Sequence, residues 1–280
     1  MKKRKEITLG HSPDPDDAFM FHPLAQNQID TGGLIFRHIL QDIQTLNERT
    51  LRGELDVSAV SIHAYPRVSA NYALMPCGAS MGDGYGPMVV APKPCDPRDL
   101  RRMMIAVPGT LTSAFLALRL CIGEFDYRVI PFDKIFEALQ KGDAEAGLII
   151  HEGQLTYSKE KLHCIVDLGA WWKKETGLPL PLGGNVIRKS LGPELVRKIT
   201  AIVKQSIAHA LRHTDETIPH VMPYARDLDA ALTKKFVRMY VNDYTLDYGE
   251  KGRAAIVEFL ERGQKIGLVQ KQFNLEFVDA

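Results

Sequence analysis

A chain of 280 residues, 45% of them hydrophobic and 25% charged, buries a sizeable core and is long enough for one large or two modest domains. Lys plus Arg total 35 and Asp plus Glu 34, so the formal net charge is +1 and no global field favours nucleic acid or an anionic membrane as partner. Ile7-Thr-Leu-Gly10, behind the basic opening, is too short for a signal-peptide core and no run reaches membrane-spanning length, which points to a cytoplasmic protein. Cys77, Cys95, Cys121 and Cys164 show no CxxC spacing, so neither a zinc cluster nor a disulfide framework is expected.

Short apolar runs alternate with amphipathic ones from the start, the pattern of strand-helix-strand units and of an α/β fold. Glu6 to Leu9 reads as a strand, about Asp16 to Gln26 as a helix, Leu34 to Ile39 as a strand, Ile43 to Arg52 as a helix and Asp56 to Val60 as a strand. Tyr72 to Met75 and Met88 to Val90 read as further strands of the same lobe. The three prolines of Ala91 to Pro97 then make a stiff connector, read as a crossing between domains. A second series follows: strand Met104 to Val107, helix Thr112 to Cys121, strand Arg128 to Pro131, helix Lys134 to Gln140, and a strand from Ala146 to Ile150. After strand Cys164 to Leu168 and helix Gly169 to Glu175, Leu178 to Leu182 is extended and Gly183 to Arg188 returns the chain to the first lobe. Glu194 to His213, Ala230 to Val241 and Arg253 to Ile266 carry one apolar face each and close the chain with helices. The expected lobes are 1–91 with 189–280, and 92–188, hinged about a central cleft.

Doubly wound sheets bind ligands where strands end at their carboxyl edge, so the polar turns after the strands are the candidate site. The first is His11-Ser-Pro-Asp-Pro-Asp-Asp17, in which Ser12 is a ligand candidate; Ser12, Asp14 or Asp16 equally suits a plain helix cap. The second is Ser58-Ala-Val-Ser61, whose hydroxyls and backbone N–H groups suit a small polar ligand or a purely local turn. The third, Pro108 to Ala114, offers Gly109, the hydroxyls of Thr110, Thr112 and Ser113, and the free N–H groups of a helix start. That combination seats an anion, for which a substrate carboxylate is preferred because the lysine and glycine pattern of a phosphate loop is absent.

His151 is the first polar residue past Ala146-Gly-Leu-Ile-Ile150, a run without alternation that suits a strand buried on both faces. Imidazole is the side chain whose ordinary pKa lies nearest neutrality, so His151 reads as a proton acceptor or as a histidine that caps the strand end. Trp171 and Trp172 suit packing better than a ligand surface. His209 and His213 are four apart on a helix with no third ligand at useful spacing, so no metal is expected, and no motif calls for a cofactor.

Four stretches, SPDPDDAFMF from Ser12, PGTLTSA from Pro108, AGLIIHEGQLTY from Ala146 and VDLGAWWKKETGLPLPLGG from Val166, make the chain resemble the 1,4-dihydroxy-6-naphthoate synthases of the futalosine route to menaquinone. The resemblance covers essentially the whole chain, including Tyr240 to Tyr244. It implies a two-lobed fold like that of type II periplasmic binding proteins. It also implies a carbon–carbon lyase that cleaves cyclic dehypoxanthine futalosine, with His151 in the place of the proton acceptor and Ala59, Val60, Ser61, Ser113 and Ala114 in substrate-contacting turns. Departures stand at Asp14, Asp16 and Ala18, where many relatives have Cys, Asn and Thr, and at Ala59, where a lysine is common. They make the site more acidic and weaken its expected hold on a carboxylate. Chorismate dehydratase is an enzymatic alternative, and a non-catalytic cytoplasmic protein binding a small carboxylate is one of another class.

Overall fold

The computed structural model describes residues 5–226 and 228–278; residues 1–4, 227, 279 and 280, which fall within the expected first lobe, lie outside it. The first half of the chain runs β1 (Glu6–His11), α1 (Pro15–Ala25), β2 (Ile35–Leu40), α2 (Ile43–Leu51), β3 (Val57–Ser61), α3 (Tyr65–Val68), β4 (Tyr72–Leu74), β5 (Ser80–Gly82), β6 (Met88–Ala91), β7 (Ile105–Val107), α4 (Ser113–Ile122), β8 (Tyr127–Val129) and α5 (Ile135–Lys141). It continues through β9 (Ala146–Ile149), β10 (His163–Asp167), α6 (Leu168–Thr176), β11 (Leu180–Arg188), α7 (Pro193–Arg212), α8 (Thr214–Val221), α9 (Ala230–Tyr240), α10 (Asp243–Leu246) and α11 (Gly249–Lys265). Two compact units divide it: 1–80 with 183–250 and 270–280, and 81–182 with 251–269.

The first unit is built on a sheet of order β2-β1-β3-β11-β4. β1 is parallel to both β2 and β3, whereas β11 returns antiparallel to β3, pairing Asn185 with Ala59. β1 starts with a strict alternation that sends Ile7 and Leu9 fully inside, and it leads to α1, eight of whose eleven residues are buried. Asp14 is the N-cap of α1 with extended backbone and Pro15 follows at the first helical position, as expected of a proline there. The Asp14 carboxylate makes no capping bond and instead pairs with Arg226 at 3.1 Å. α7 lays Ile199, Ile202, Val203, Ile207 and Ala210 into one core with Phe19, Met20 and Phe21 of α1, and Ser206 donates to the Met20 carbonyl at 2.7 Å. Burial of such an apolar stripe is what holds a helix to a sheet, at about 25 cal/mol per Å² removed from water.

The second unit has the order β10-β6-β9-β7-β8. β7 is parallel to β8 and β9, and β6 runs antiparallel to β9 and β10. β9 is buried along its whole length, and Gly147 lets α5 press close, since a Cβ there would stand 2.5 Å from Ile135. Three placements differ from the sequence reading. β6, expected in the first lobe, pairs within the second sheet. The chain leaves the first unit at Ser80 rather than at the proline-rich stretch Ala91 to Pro97, which leads into a short helical turn at Pro97–Arg102. The residues of α11 from Lys251 onward, expected with the first lobe, join the second unit, because Phe259 meets the edge of buried Trp172 at 5.5 Å and Arg262 lies 5.1 Å over that ring. Trp172 is thus a core residue whose Nε1–H donates to the Pro179 carbonyl at 3.0 Å.

Candidate functional site

In the first unit the neighbouring strands β1 and β3 bring Ser12 to the same sheet edge as Ala59, Val60 and Ser61. All four are nearly inaccessible, with Ser12 7% and Ser61 2% exposed. Their hydrogen bonds are largely internal. The Ser12 N–H donates to Asp17 Oδ2 at 2.6 Å, and its carbonyl accepts from His11 Nδ1 at 3.1 Å. A carbonyl only accepts, so Nδ1 of His11 holds the proton; Nε2 is then the acceptor for His38 Nδ1, 3.0 Å away. Burial, reinforced by His38, pushes the His11 imidazole down to about 3 and keeps it neutral. In the same turn burial lifts the Asp17 carboxyl to about 6, against the pull of the Ser12 N–H, and raises Asp16 well above the carboxylate range, with Asp17 and Asp14 adding to the effect.

Ser61 is held by a residue that the sequence reading passed over. Asn47, fully buried on α2, accepts the Ser61 N–H at 2.8 Å and donates to the Ser61 hydroxyl at 3.0 Å. Its signal in the sequence was an amide between Leu46 and Thr50 on the buried face of an amphipathic helix. A buried polar side chain needs partners, and a strand end supplies them.

In the second unit β7 and β9 lie side by side and parallel, so the turn Gly109 to Ala114 and the turn at His151 emerge from adjacent strand ends. Thr112 is the N-cap of α4: its hydroxyl accepts from Phe115 N at 3.2 Å and donates to the Gly109 carbonyl at 2.8 Å. The Ser113 hydroxyl donates to the Leu182 carbonyl at 2.5 Å. Both hydroxyls are thereby engaged with protein, and the Ala114 N–H, with no partner among the described residues, is the donor that this helix end presents, with the positive end of the dipole behind it.

His151 is buried at 8% exposure and opens a short helical turn, Glu152–Leu155. Its Nδ1 accepts the Gly153 N–H at 3.0 Å, and Nε2, facing the Phe132 carbonyl at 3.1 Å, must carry the proton. Phe132 and Phe136 stand edge-on to the ring at 5.3 and 6.1 Å, and the buried Glu152 carboxylate lies 3.7 Å from Nδ1. Gly153 is required here, because a Cβ on it would come within 2.7 Å of His151 Cε1 and 2.9 Å of Phe136. In this arrangement the imidazole caps its own turn, one of the two readings open from the sequence; a base at this position has to exchange the Gly153 N–H for a substrate proton. A positive charge gained in doing so would face the Glu152 carboxylate.

The other histidine pair, His209 and His213, stacks ring on ring at 4.3 Å, with His213 Nδ1 bonded to the His209 carbonyl at 2.9 Å. Among the described residues no group of three or more His, Cys, Asp or Glu is placed to hold a metal ion, and no helix is long and apolar enough to cross a membrane.

A family model described as menaquinone biosynthesis matches residues 7–265. The chain is 37% identical over 262 residues to a 1,4-dihydroxy-6-naphthoate synthase of Thermus thermophilus, covering 94% of this chain and 95% of that one. Among solved structures it is similar to protein AF1704 of Archaeoglobus fulgidus, at a TM-score of 0.91 and 42% identity over 94% of this chain and 98% of that one. A Candida albicans gene product described as having the generic periplasmic binding protein fold superposes at a TM-score of 0.71 with 13% identity, over 96% and 92% of the two chains, which speaks for the fold alone. The fold is therefore α/β of the periplasmic-binding-protein kind, and the chain belongs to the menaquinone biosynthesis family.

Proposed function

We propose that this chain is a 1,4-dihydroxy-6-naphthoate synthase, a carbon–carbon lyase acting on cyclic dehypoxanthine futalosine. The observation that carries the reading is the end-to-end likeness to the Thermus synthase, 37% identity with 94% and 95% of the two chains covered. His151 is the base in this reading. Its Nδ1 takes the proton of a sugar hydroxyl, the O–H electron pair becomes a carbonyl, the adjacent C–C bond breaks, and its electrons pass to the carbocycle that becomes aromatic. Ser12, the backbone of Ala59, Val60 and Ser61, and Gly109, Thr112, Ser113 and Ala114 hold the small-molecule substrate. Its carboxylate sits at the start of α4, where the Ala114 N–H and the helix dipole supply positive potential. The enzyme works in the cytoplasm.

Incubation of the purified chain with cyclic dehypoxanthine futalosine, followed by chromatographic detection of dihydroxynaphthoate, tests the reading. Release of the naphthoate supports it. Conversion of chorismate instead would make the chain a dehydratase, and saturable binding without turnover of either compound would make it a binding protein.

A further inference from the structure

Within the first unit a cavity of about 210 Å³ lies between α1, β2 and the α8 region; it touches the turn that carries Ser12 only through His11, which lines it together with His38, and none of the residues assigned above to substrate lines it. One wall is the α1 face that carries Ala18, Phe21, His22 and Ala25, spaced so that all four point the same way. Leu40 of β2 and Tyr224 add apolar and aromatic surface, and His220 of α8 closes the other side. No Lys, Arg, Asp or Glu lines it.

His22 is the informative residue. It is 9% exposed, its imidazole makes no hydrogen bond with any described residue, and the ring borders the cavity and stacks on His220 at 4.5 Å, 16° from parallel. The His22 nitrogens open on the cavity, and the buried Nε2 of His38, which also lines it, has no hydrogen-bond partner among the described residues; such a buried acceptor is rare in folded proteins, and one beside an open cavity is satisfied by what enters it. Burial, with His220 and His209 adding repulsion, lowers the affinity of His22 for a proton, so the ring is neutral and offers one N–H and one lone pair.

From this geometry we infer a second binding site, for an uncharged aromatic alcohol of one or two rings. A cavity of about 150 Å³ lined with apolar side chains holds benzene, so this one has room for a little more than a single ring. The flat His22–His220 pair and Phe21 favour a planar ligand, and the His22 imidazole together with the unpartnered His38 Nε2 favours one that brings a hydroxyl. A carboxylate is excluded on electrostatic grounds, because an anion buried without a cation is costly. The site thus selects against the anionic substrate and product of the proposed reaction and does not depend on that reaction being correct.

Equilibrium titration of the full chain with 1-naphthol, 1-methoxynaphthalene and 1-naphthoate tests the inference. One equivalent of 1-naphthol should bind, with 1-naphthoate weaker by about tenfold or more, the order expected for an uncompensated charge. The methoxy compound, which has no proton to give, should bind several-fold more weakly than the naphthol. Ala25→Trp, a change at an exposed position on the cavity rim, should abolish binding, and His22→Phe should remove the difference between naphthol and its methyl ether. Should either variant fold poorly, the parent protein still decides: 1-naphthol should shift the ring-proton resonances of His22 and His220. Absence of saturable naphthol binding, naphthoate binding as tight as naphthol, or unmoved His22 and His220 resonances would overturn the site.

Discussion

Asn47 and Ser61 close a ring of two hydrogen bonds, N–H to Oδ1 at 2.8 Å and Nδ2 to Oγ at 3.0 Å, that fixes the end of β3 against α2. Truncation to Asn47→Ala leaves the buried Ser61 N–H without an acceptor, which costs about 1–3 kcal/mol. Denaturant unfolding should register that loss, and KM for the futalosine substrate should rise because Ser61 is no longer held. Unchanged stability and KM would show that the ring is incidental.

The start of α4 is the proposed carboxylate seat, with the Ala114 N–H as its donor. Ser113→Asp places a negative charge at the same helix end, where it would itself enjoy the dipole and repel a second anion. KM should rise by about tenfold or more, with unfolding stability nearly kept. A KM equal to that of the parent would put the anion elsewhere.

His11 gives the first unit an acid-sensitive element. Its folded pKa, about 3, lies below the ordinary 6.5, so the unfolded chain takes up a proton at a pH where the folded chain does not. The stability linked to neutral His11 is present above pH 6.5 and is lost as the pH falls toward 3. Between pH 7 and 5 the loss is about 2 kcal/mol. Asp17, whose carboxyl is lifted to about 6, works in the opposite direction over that window, gaining stability as it protonates in the folded state. A comparison of parent and His11→Gln therefore isolates the histidine: the variant should decline by about 2 kcal/mol less than the parent on going from pH 7 to 5. Parallel pH profiles would refute the assignment.

Local patterns read well from the sequence where one force decided them. Pro15 stands in the first turn of α1, the period of α7 gave its buried stripe, and the strand-turn-helix arrangement at Val107 to Ala114 gave a helix N-terminus, although Thr112, read as a hydroxyl of the anion seat, serves as its N-cap. What the sequence did not disclose is long-range pairing. Nothing local in Met88 to Ala91 tells which sheet will accept it, and the partners that place it are Leu148 and Val166, far along the chain. The affiliation of α11 is likewise set by Trp172 and not by its own amphipathic period. The hydrogen bonds of the site were hidden for the same reason. Asn47 reaches Ser61 across 14 residues, and the contact of His151 with Phe132 spans 19.

Gly153 should act as a positioning residue for His151. A methyl group there would meet the imidazole at 2.7 Å and Phe136 at 2.9 Å, so Gly153→Ala must turn the ring or move the turn. The expected signature is a fall in kcat with little change in KM, because the displaced group acts in the chemical step. A change confined to KM would mean that the turn serves binding alone.

The most direct test is the product-forming rate of His151→Asn beside the parent, with cyclic dehypoxanthine futalosine at saturation and dihydroxynaphthoate as the readout. Asparagine matches histidine in size but cannot accept the proton, and a positioned base contributes about 10²–10⁴-fold. The parent should release the naphthoate and the variant should lose kcat by that order while binding substrate nearly as well. Near-parental turnover by His151→Asn, or no naphthoate from the parent, would contradict the account.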